Sequence, residues 1–397
     1  MTLEGSSRAS ELSQVESVEV VDDTTVELTL SEPFTALTAI LADRSGMIMS
    51  PQALDELGED FGSDPVCVGP FQFVERQAQD RIVLERADDY YDADQVKLDR
   101  IVFRIITDAN VRTANVWSGD IDMAERIATT DVEEIESDDS LQLFTATSIG
   151  YQGITINIGN ANGIAEPPEQ LDTPLATDPT IREAFELAID REALNDVVFQ
   201  GRFTPGCSPI SPTSPLADPD LECPEQDLDR ARQLLRDAGQ EGLGVELIHG
   251  NDPVNQRQAE VIQQMANEAR FDVSLRPTEF TTALDETDAG NFEIQIGWSG
   301  RIDPDGNIHA FQHTDGSLNI SKASDPQIDD LLDQTRVESG PEARHELFNQ
   351  LVDALRERRN IIYLYHQNLF VGAADSITGF EFYGDGLPRL KTAGFSE

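Results

Sequence analysis

The 397-residue sequence predicts an α/β fold with more than one domain. Three observations support this. Short runs that alternate apolar and polar residues, as half-buried strands do, fill the first 160 residues or so. From Asp178 onward, amphipathic helices alternate with strands. The hydrophobic fraction of 39% is enough to build cores. No apolar run approaches the ~18 to 20 residues that a bilayer span requires.

The first part of the chain is predicted to consist mainly of strands. Two alternating runs within residues 17–31 flank Asp22, Asp23 and Thr24, which predicts a hairpin. A short helix is expected over residues 34–41. Further strands are predicted at residues 64–73, 81–86, 100–106, 141–145 and 151–157.

Helices are predicted where a capping residue precedes an apolar face. Asp108 suits the N-cap of a helix over residues 110–118, which Gly119 would end. Asp178 and Pro179 begin another helix in the same way. Further helices are predicted over residues 228–238, 256–269, 325–337 with Ser324 as cap, and 341–358, with strands at 245–248, 271–275 and 361–365.

The segment 292–307 is the candidate ligand-binding loop. Its alternating residues predict a strand that ends near Trp298, and Asp303-Pro304-Asp305-Gly306 predicts a turn. Loops at strand ends are where ligands gather in α/β folds. We therefore assign ligand contacts to Trp298, Arg301 and Asp303. Two alternatives stay open: Trp298 could close the core, and Arg301 could pair with Asp303 or Asp305.

Metal sites are weakly indicated. The alternation of Asp303, Asp305 and Asn307 fails as a calcium loop, because glycine stands at the fourth position and Thr314 at the twelfth. His309 and His313 are spaced to share one helix face, but Ala310 stands where the zincin motif has glutamate. We therefore predict no metal and no cofactor, and carry a metal-dependent hydrolase only as an alternative.

The charge is strongly acidic. Asp and Glu total 75 against 28 Lys and Arg, a formal net charge of −47. Such a field repels nucleic acid and anionic membrane surfaces. Carboxylate-rich, Lys-poor surfaces suit concentrated salt, where screening removes the self-repulsion. The composition thus predicts a halophilic source.

Three cysteines are present. Cys207 and Cys223 flank a loop rich in proline, serine and aspartate, so they form either a disulfide, which suits an exported protein, or two free thiols. Cys67 is expected to be buried and inert.

A series of segments, in this order, resembles the family 5 extracellular solute-binding proteins, the oligopeptide-, dipeptide- and nickel-type receptors of ABC importers. The resemblance extends over nearly the whole chain. The segments are DDTTVELTL at 22–30, VCVGPF at 66–71, DDYY at 88–91, LDRIVFR at 98–104, GDID at 119–122, IREAFELAIDR at 181–191, GW at 297–298 and DPQIDDLL at 325–332.

The resemblance implies a type II periplasmic-binding-protein fold, with two lobes joined by hinge strands and an extra domain. Residues 1–60 would be a remnant of the extra domain, 61–150 lobe I, 151–371 lobe II, and 372–397 the return to lobe I. The hinge strands would cross near 149–157 and 365–372. Side chains on such strands line the cleft floor, which implies ligand contacts for Tyr151, Gln152, Asn157 and Gln367, unless these residues satisfy buried backbone instead.

The implied function is a receptor outside the cytoplasm, at the cell surface or in the periplasm, which delivers a peptide or other small solute to an ABC permease and its ATPase. We expect a monomer without catalysis; a sensory or adhesive receptor is the alternative. Peptide-binding relatives carry an aspartate for the ligand ammonium three positions after the tryptophan, where this chain has Arg301. The solute would therefore be held differently or carry an anionic group. By the same resemblance, roughly the first quarter of such a protein, including its leader, is expected to precede this chain.

Overall fold

The computed structural model describes residues 9–396. The strands are β1 (Val15–Asp22), β2 (Thr25–Leu30), β3 (Phe71–Gln77), β4 (Arg81–Arg86), β5 (Arg100–Arg104), β6 (Met123–Glu125), β7 (Leu141–Thr147), β8 (Tyr151–Ile156), β9 (Thr204–Pro205), β10 (Gly244–Gly250), β11 (Asp272–Thr278), β12 (Ile294–Ser299), β13 (Ile361–His366), β14 (Asn368–Ala374), β15 (Ile377–Thr378), β16 (Glu381–Phe382), β17 (Pro388–Arg389) and β18 (Gly394–Phe395).

The α-helices are α1 (Leu37–Leu41), α2 (Pro51–Leu57), α3 (Ala109–Ser118), α4 (Val132–Glu136), α5 (Pro174–Thr177), α6 (Pro179–Leu187), α7 (Arg191–Phe199), α8 (Leu228–Asp237), α9 (Pro253–Glu268), α10 (Phe280–Asp288), α11 (Pro304–Gln312), α12 (Pro326–Val337) and α13 (Pro341–Arg358). Within the described range, these helices are too short or too polar to cross a bilayer.

The chain divides into two compact units. Unit 1 comprises the residues up to Ile40 together with Ile149–Gln367, and unit 2 comprises Leu41–Ser148 together with Asn368–Glu397. The units thus divide residues 1–60 between them. The assignment of that stretch to an extra domain, and of hinge strands to the crossings, stays a prediction.

Unit 1 is built on a six-stranded mixed sheet. The strand order is β11-β10-β12-β8-β13-β9, in which β10 runs parallel to β11 and β12 while β8 runs antiparallel to both of its neighbours. All six residues of β13 are buried, as expected for a strand covered on both faces. The main core lies against this sheet, where the rings of Phe185 and Phe271 meet edge to face at 5.0 Å.

A second core in unit 1 joins α11, α12 and α13. Ile308, Leu332, Phe348 and Leu351 are fully buried in it. The N-terminal segment packs against the same helices, because the Thr35 amide donates to the carbonyl of Arg336. The guanidinium of Arg336 also lies 5.3 Å from the centroid of the Phe34 ring.

Unit 2 contains two three-stranded antiparallel sheets. One has the order β3-β4-β5 and the other β6-β14-β7. Helix α3 begins at the predicted cap, where the Asp108 side chain accepts from the Val111 amide, and ends at Gly119 in the left-handed region. The return of the chain through β14 supplies the central strand of the second sheet, so unit 2 is assembled from two separate stretches of sequence.

Several local predictions are confirmed and three are wrong. The hairpin around Asp22–Thr24 forms as β1 and β2. The turn predicted at 303–306 is instead the start of α11, because Asp303 caps the helix and Pro304 fits its first position. Asp325, not Ser324, caps α12 by accepting from the Gln327 amide. Cys67 is exposed, because it lies in an isolated bridge to Met49 rather than in a core.

Candidate functional site

The residues of interest meet at one edge of the unit 1 sheet. In the antiparallel register of β12 and β8, Trp298 is opposite Gln152 and Ser299 is opposite Tyr151. Gln152 also pairs with Tyr365 on β13. This edge is therefore formed by the end of β12, the beginning of β8 and the end of β13. It brings together the predicted residues Trp298, Tyr151 and Gln152.

Trp298 presents its indole outward at this edge. Its side chain is on a strand whose first residue, Ile294, is fully buried, yet Trp298 is 57% exposed. The indole therefore does not close the core. Within unit 1 it is available for a stacking or apolar contact with a molecule outside the unit.

Tyr151 belongs to the packing beneath the edge. It is buried, and its ring meets that of Tyr363 edge to face at 4.9 Å. Burial raises the pKa of the Tyr151 phenol well above its ordinary value, and the neighbouring Tyr363 acts in the same direction. Gln152 is half-buried. Of this pair, Gln152 has the freer position for a ligand contact.

Asn307 fixes the loop that follows β12. It is buried, its Oδ1 accepts from the Ser299 hydroxyl at 3.0 Å, and its Nδ2 donates to the carbonyls of Ile149 at 2.9 Å and Arg301 at 3.3 Å. The loop also approaches Gly150, where a Cβ would lie 1.9 Å from the Ser299 carbonyl oxygen. Sequence reasoning missed this role of Asn307, since its partners are up to 158 residues away.

Arg301 lies over the beginning of α11. A Cβ at Gly306 would lie 2.8 Å from the Arg301 Cβ, so the glycine makes room for the arginine. The guanidinium donates to the Gly300 carbonyl at 2.8 Å and lies 3.9 Å from the Glu11 carboxylate. Its side chain retains 15% exposure.

The two aspartates of this segment are bound to arginines of unit 1. Arg344 donates to both oxygens of Asp303, at 2.8 and 3.0 Å. Arg336 donates to both oxygens of Asp305, at 2.8 and 3.1 Å, and that carboxylate is 1% exposed. A ligand contact by Asp303 would have to compete with Arg344 and with the helix cap that Asp303 forms.

Of the other two predicted residues, one lies far from Trp298 and the other follows the end of β13. Asn157 follows the far end of β8, roughly 20 Å along the strand. It is buried, its Nδ2 donates to the carbonyls of Asn160, Gly290 and Phe292, and its Oδ1 accepts from the Asn160 amide. It thus satisfies buried backbone, the alternative that the sequence left open. Gln367 is half-buried and is the last residue of unit 1 before the chain crosses.

Two histidines of α11 form a separate cluster. The rings of His309 and His313 stack at 4.6 Å, which confirms that the spacing puts them on one face. Each Nε2 lies 3.7 Å from Oδ1 of Asp333 on α12. Burial lowers the pKa of His309 to about 2, and the charges of Arg336 and His313 act in the same direction.

The loop from Cys207 is closed covalently. The sequence left Cys207 and Cys223 open between a bridge and two thiols, and the structure joins them with a Cα–Cα distance of 5.5 Å. Cys207 is 2% exposed, so the bridge is anchored in unit 1.

Comparison with known proteins places these features in a family. The model of the bacterial extracellular solute-binding proteins, family 5, matches residues 2–319. A glutathione-binding protein, GsiB, of Salmonella paratyphi A is 27% identical over 383 residues, which cover 91% of this chain and 70% of that protein. GsiB of Pectobacterium atrosepticum is 26% identical and covers 96% and 74%.

Solved structures show the same fold. A dipeptide-binding protein from Pseudoalteromonas sp. SM9913, in complex with Met-Leu, has a TM-score of 0.85 at 18% identity, covering 98% of this chain and 77% of that one. The binding protein AgaA from A. tumefaciens R10, in complex with agropinic acid, has a TM-score of 0.83 at 23% identity, covering 98% and 80%. The predicted two-lobed α/β class is confirmed.

Proposed function

The chain belongs to the family 5 bacterial extracellular solute-binding proteins, and from this membership we propose that its unit 1 sheet edge takes part in binding a small, carboxylate-bearing solute. Proteins of this family bind small-molecule or peptide ligands and work with ABC permeases. The chain is accordingly a solute-binding receptor for a transporter. The chemistry of the solute is the part that we propose.

The exposure of Trp298 supports the location. The Trp298 side chain is 57% exposed, although its strand begins at the buried residue Ile294. The exposed indole leaves apolar area in contact with water, and a bound ligand would cover that area. Gln152, directly opposite in the register, adds an amide that can donate and accept. Rigid strands hold both residues, which favours an ordered contact.

Arg301 supports the anionic character of the solute. Its side chain is 15% exposed, and its guanidinium lies 3.9 Å from the Glu11 carboxylate, so the cation is already in a setting that suits an anionic group. A ligand carboxylate would compete for the same cation in bidentate geometry. Glutathione, which the GsiB relatives bind, is a short peptide with two carboxylates and provides the first test compound.

Calorimetry with glutathione and a library of acidic, neutral and amidated short peptides tests this proposal. Arg301→Ala should weaken binding of carboxylate-bearing ligands by about tenfold or more, the value of one charge-assisted contact. Arg257→Ala is the matched control, because Arg257 is an exposed arginine on α9 of the same unit. Unchanged affinity for every ligand in Arg301→Ala would reject the contact.

The same membership supports a proposal about where and how the protein acts. We propose that the protein acts outside the cytoplasm, at a cell surface or in a periplasm, as a monomer that catalyses nothing while an ATPase on other chains supplies the energy. The net charge of −47 supports a further part of the proposal, that it works in concentrated salt.

A further inference from the structure

We propose that His309, His313 and Asp333 bind one divalent transition-metal ion of the zinc class and thereby link α11 to α12. This site goes beyond solute reception and revises the expectation, drawn from sequence, that the chain holds no metal. The sequence could not bring the third residue into view, because Asp333 is on the next helix.

The three ligand atoms are already close to a coordinating arrangement. They lie within 4.8 Å of one another, and each imidazole Nε2 is 3.7 Å from the Asp333 carboxylate. Around a tetrahedral ion with metal–ligand bonds of about 2.0 Å, neighbouring ligand atoms are about 3.3 Å apart. The required closure is therefore about 0.4 Å for each N–O pair and up to about 1.5 Å for the two imidazole nitrogens. Asp333 can supply the first, since its side chain is 66% exposed, and the second requires an imidazole to turn.

One imidazole must turn before both can bind the same ion. The two rings are stacked with an interplanar angle of 9° and a centroid distance of 4.6 Å, and an imidazole nitrogen binds a metal in the plane of its own ring, so at least one ring has to rotate about its Cβ–Cγ bond. The two side chains are 14% and 15% exposed, so the site is largely shielded from solvent. An ion would enter the site from solvent on the side of Asp333, whose carboxylate is exposed.

The charges around the cluster act in both directions. Arg336 opposes a cation, and the Asp305 carboxylate, whose two oxygens accept from Arg336 in the buried pair, offsets part of that repulsion. Asp329 adds a negative charge 4.0 Å from the His313 Nε2 and is held there by the amide and hydroxyl of Thr314. The cation would thus meet two carboxylates, Asp333 and Asp329, against one arginine that is already paired.

Coordination has one local consequence. The Asp315 amide donates to Nδ1 of His313 at 3.0 Å, which leaves the ring proton on Nε2. An ion at Nε2 requires that proton on Nδ1, so the Asp315 amide must release its hydrogen bond. Asp315 is exposed and its amide can turn to water. The amide resonance of Asp315 should therefore report binding.

The donor set decides which metal fits. Two imidazoles and one carboxylate suit Zn²⁺, Ni²⁺ or Cu²⁺, whereas Mg²⁺ and Ca²⁺ prefer oxygen ligands alone. A water molecule would complete a tetrahedral site. This preference separates the site from the non-specific attraction of divalent ions to an acidic surface.

The test uses the full chain without a histidine tag. Zn²⁺ is titrated calorimetrically in an excess of Mg²⁺ and in high NaCl, and Co²⁺ is added separately for its visible spectrum. The variant is Asp333→Asn, an exposed position where folding should be unaffected. The control is Asp330→Asn, which makes the same change at an exposed position on the same helix.

We expect one Zn²⁺ per chain, a tetrahedral Co²⁺ spectrum and a shift of the Asp315 amide. Asp333→Asn should weaken Zn²⁺ binding at least tenfold, the loss seen when even an outer partner of a metal ligand is removed. Asp330→Asn should bind as the unaltered chain does. Absence of stoichiometric binding under these conditions, or equal affinity in the two variants, would overturn the proposal.

Discussion

Nδ1 of His366 lies 2.7 Å from the carbonyl oxygen of Gly150, so a hydrogen bond joins the segment where the chain re-enters unit 1 to the segment where it leaves. His366 is 3% exposed. The close packing extends to Gly206, where a Cβ would lie 2.8 Å from the His366 ring. A neutral imidazole that donates through Nδ1 fits this environment.

The burial of His366 predicts a pH effect on stability. Burial lowers its pKa below the ordinary 6.5, although the hydrogen bond to Gly150 opposes the shift. The unfolded chain therefore takes up a proton at higher pH than the folded chain. The free energy of unfolding should fall as the pH drops below 6.5, by at most ~1.4 kcal/mol per pH unit from this group. The loss stops at the folded pKa.

Urea unfolding of the unaltered chain and of His366→Gln, at pH 7.5 and 5.5, measures this effect. Carboxylate titrations are common to both proteins and cancel in the comparison. The variant should lose less stability between the two pH values. Identical losses would show that His366 does not contribute.

The buried pair of Asp305 and Arg336 predicts a second stability effect. Asp305→Asn leaves the guanidinium without its charge partner at a site where the two side chains are 1% and 9% exposed. Breaking such a pair from one side costs about 3 to 5 kcal/mol. Asp229→Asn breaks the exposed pair with Arg232 and should change stability by less than ~1 kcal/mol. Equal effects in thermal or urea unfolding would contradict this difference.

The disulfide between Cys207 and Cys223 predicts a third effect on stability. Cys207 and Cys223 are 16 residues apart, and closing a loop of that length stabilises the folded chain by about 3 kcal/mol in the chain-entropy model. The double variant Cys207→Ser, Cys223→Ser should be less stable by that order and should not respond to reductant. In the unaltered chain, a thiol reagent should label Cys67 without denaturant. Labelling that needs denaturant would conflict with the exposure of Cys67.

The acidic composition predicts a strong salt effect. With 75 acidic against 28 basic residues, self-repulsion destabilises the compact state at low ionic strength. The melting temperature should rise from low to multimolar salt as screening shortens the Debye length from about 30 Å to about 3 Å or less. A melting temperature that stays level across this range would count against a halophilic adaptation.

Local signals in the sequence predicted much of the fold. Asp108 and Gly119 marked both ends of α3, and Asp178 with Pro179 marked the start of α6. The start of α11 was missed because Asp-Pro-Asp-Gly suits a turn as well as a helix N-terminus. The local pattern also carries no sign of Arg344, which donates to Asp303 from 41 residues away.

The site was predictable only in part, because several of its residues have partners that are distant in the sequence. The alternating pattern placed Trp298 at a strand end, and the register brought Gln152 opposite to it. Asn157 lies on the same strand but at the other end, and its partners near Gly290 and Phe292 are set by the tertiary fold. Spacing along the chain carries no information about such partners, or about Asp333 beside His309.

The central claim is that a solute covers Trp298. The chain has two tryptophans, and Trp117→Phe leaves Trp298 as the only indole. In that variant, emission and acrylamide quenching are measured while glutathione or a library peptide that binds by calorimetry is titrated. We expect the Trp298 emission to change and its quenching by acrylamide to fall as the ligand is added. The affinity obtained from these changes should equal the affinity measured by calorimetry. Saturable binding that leaves both unchanged would contradict the claim.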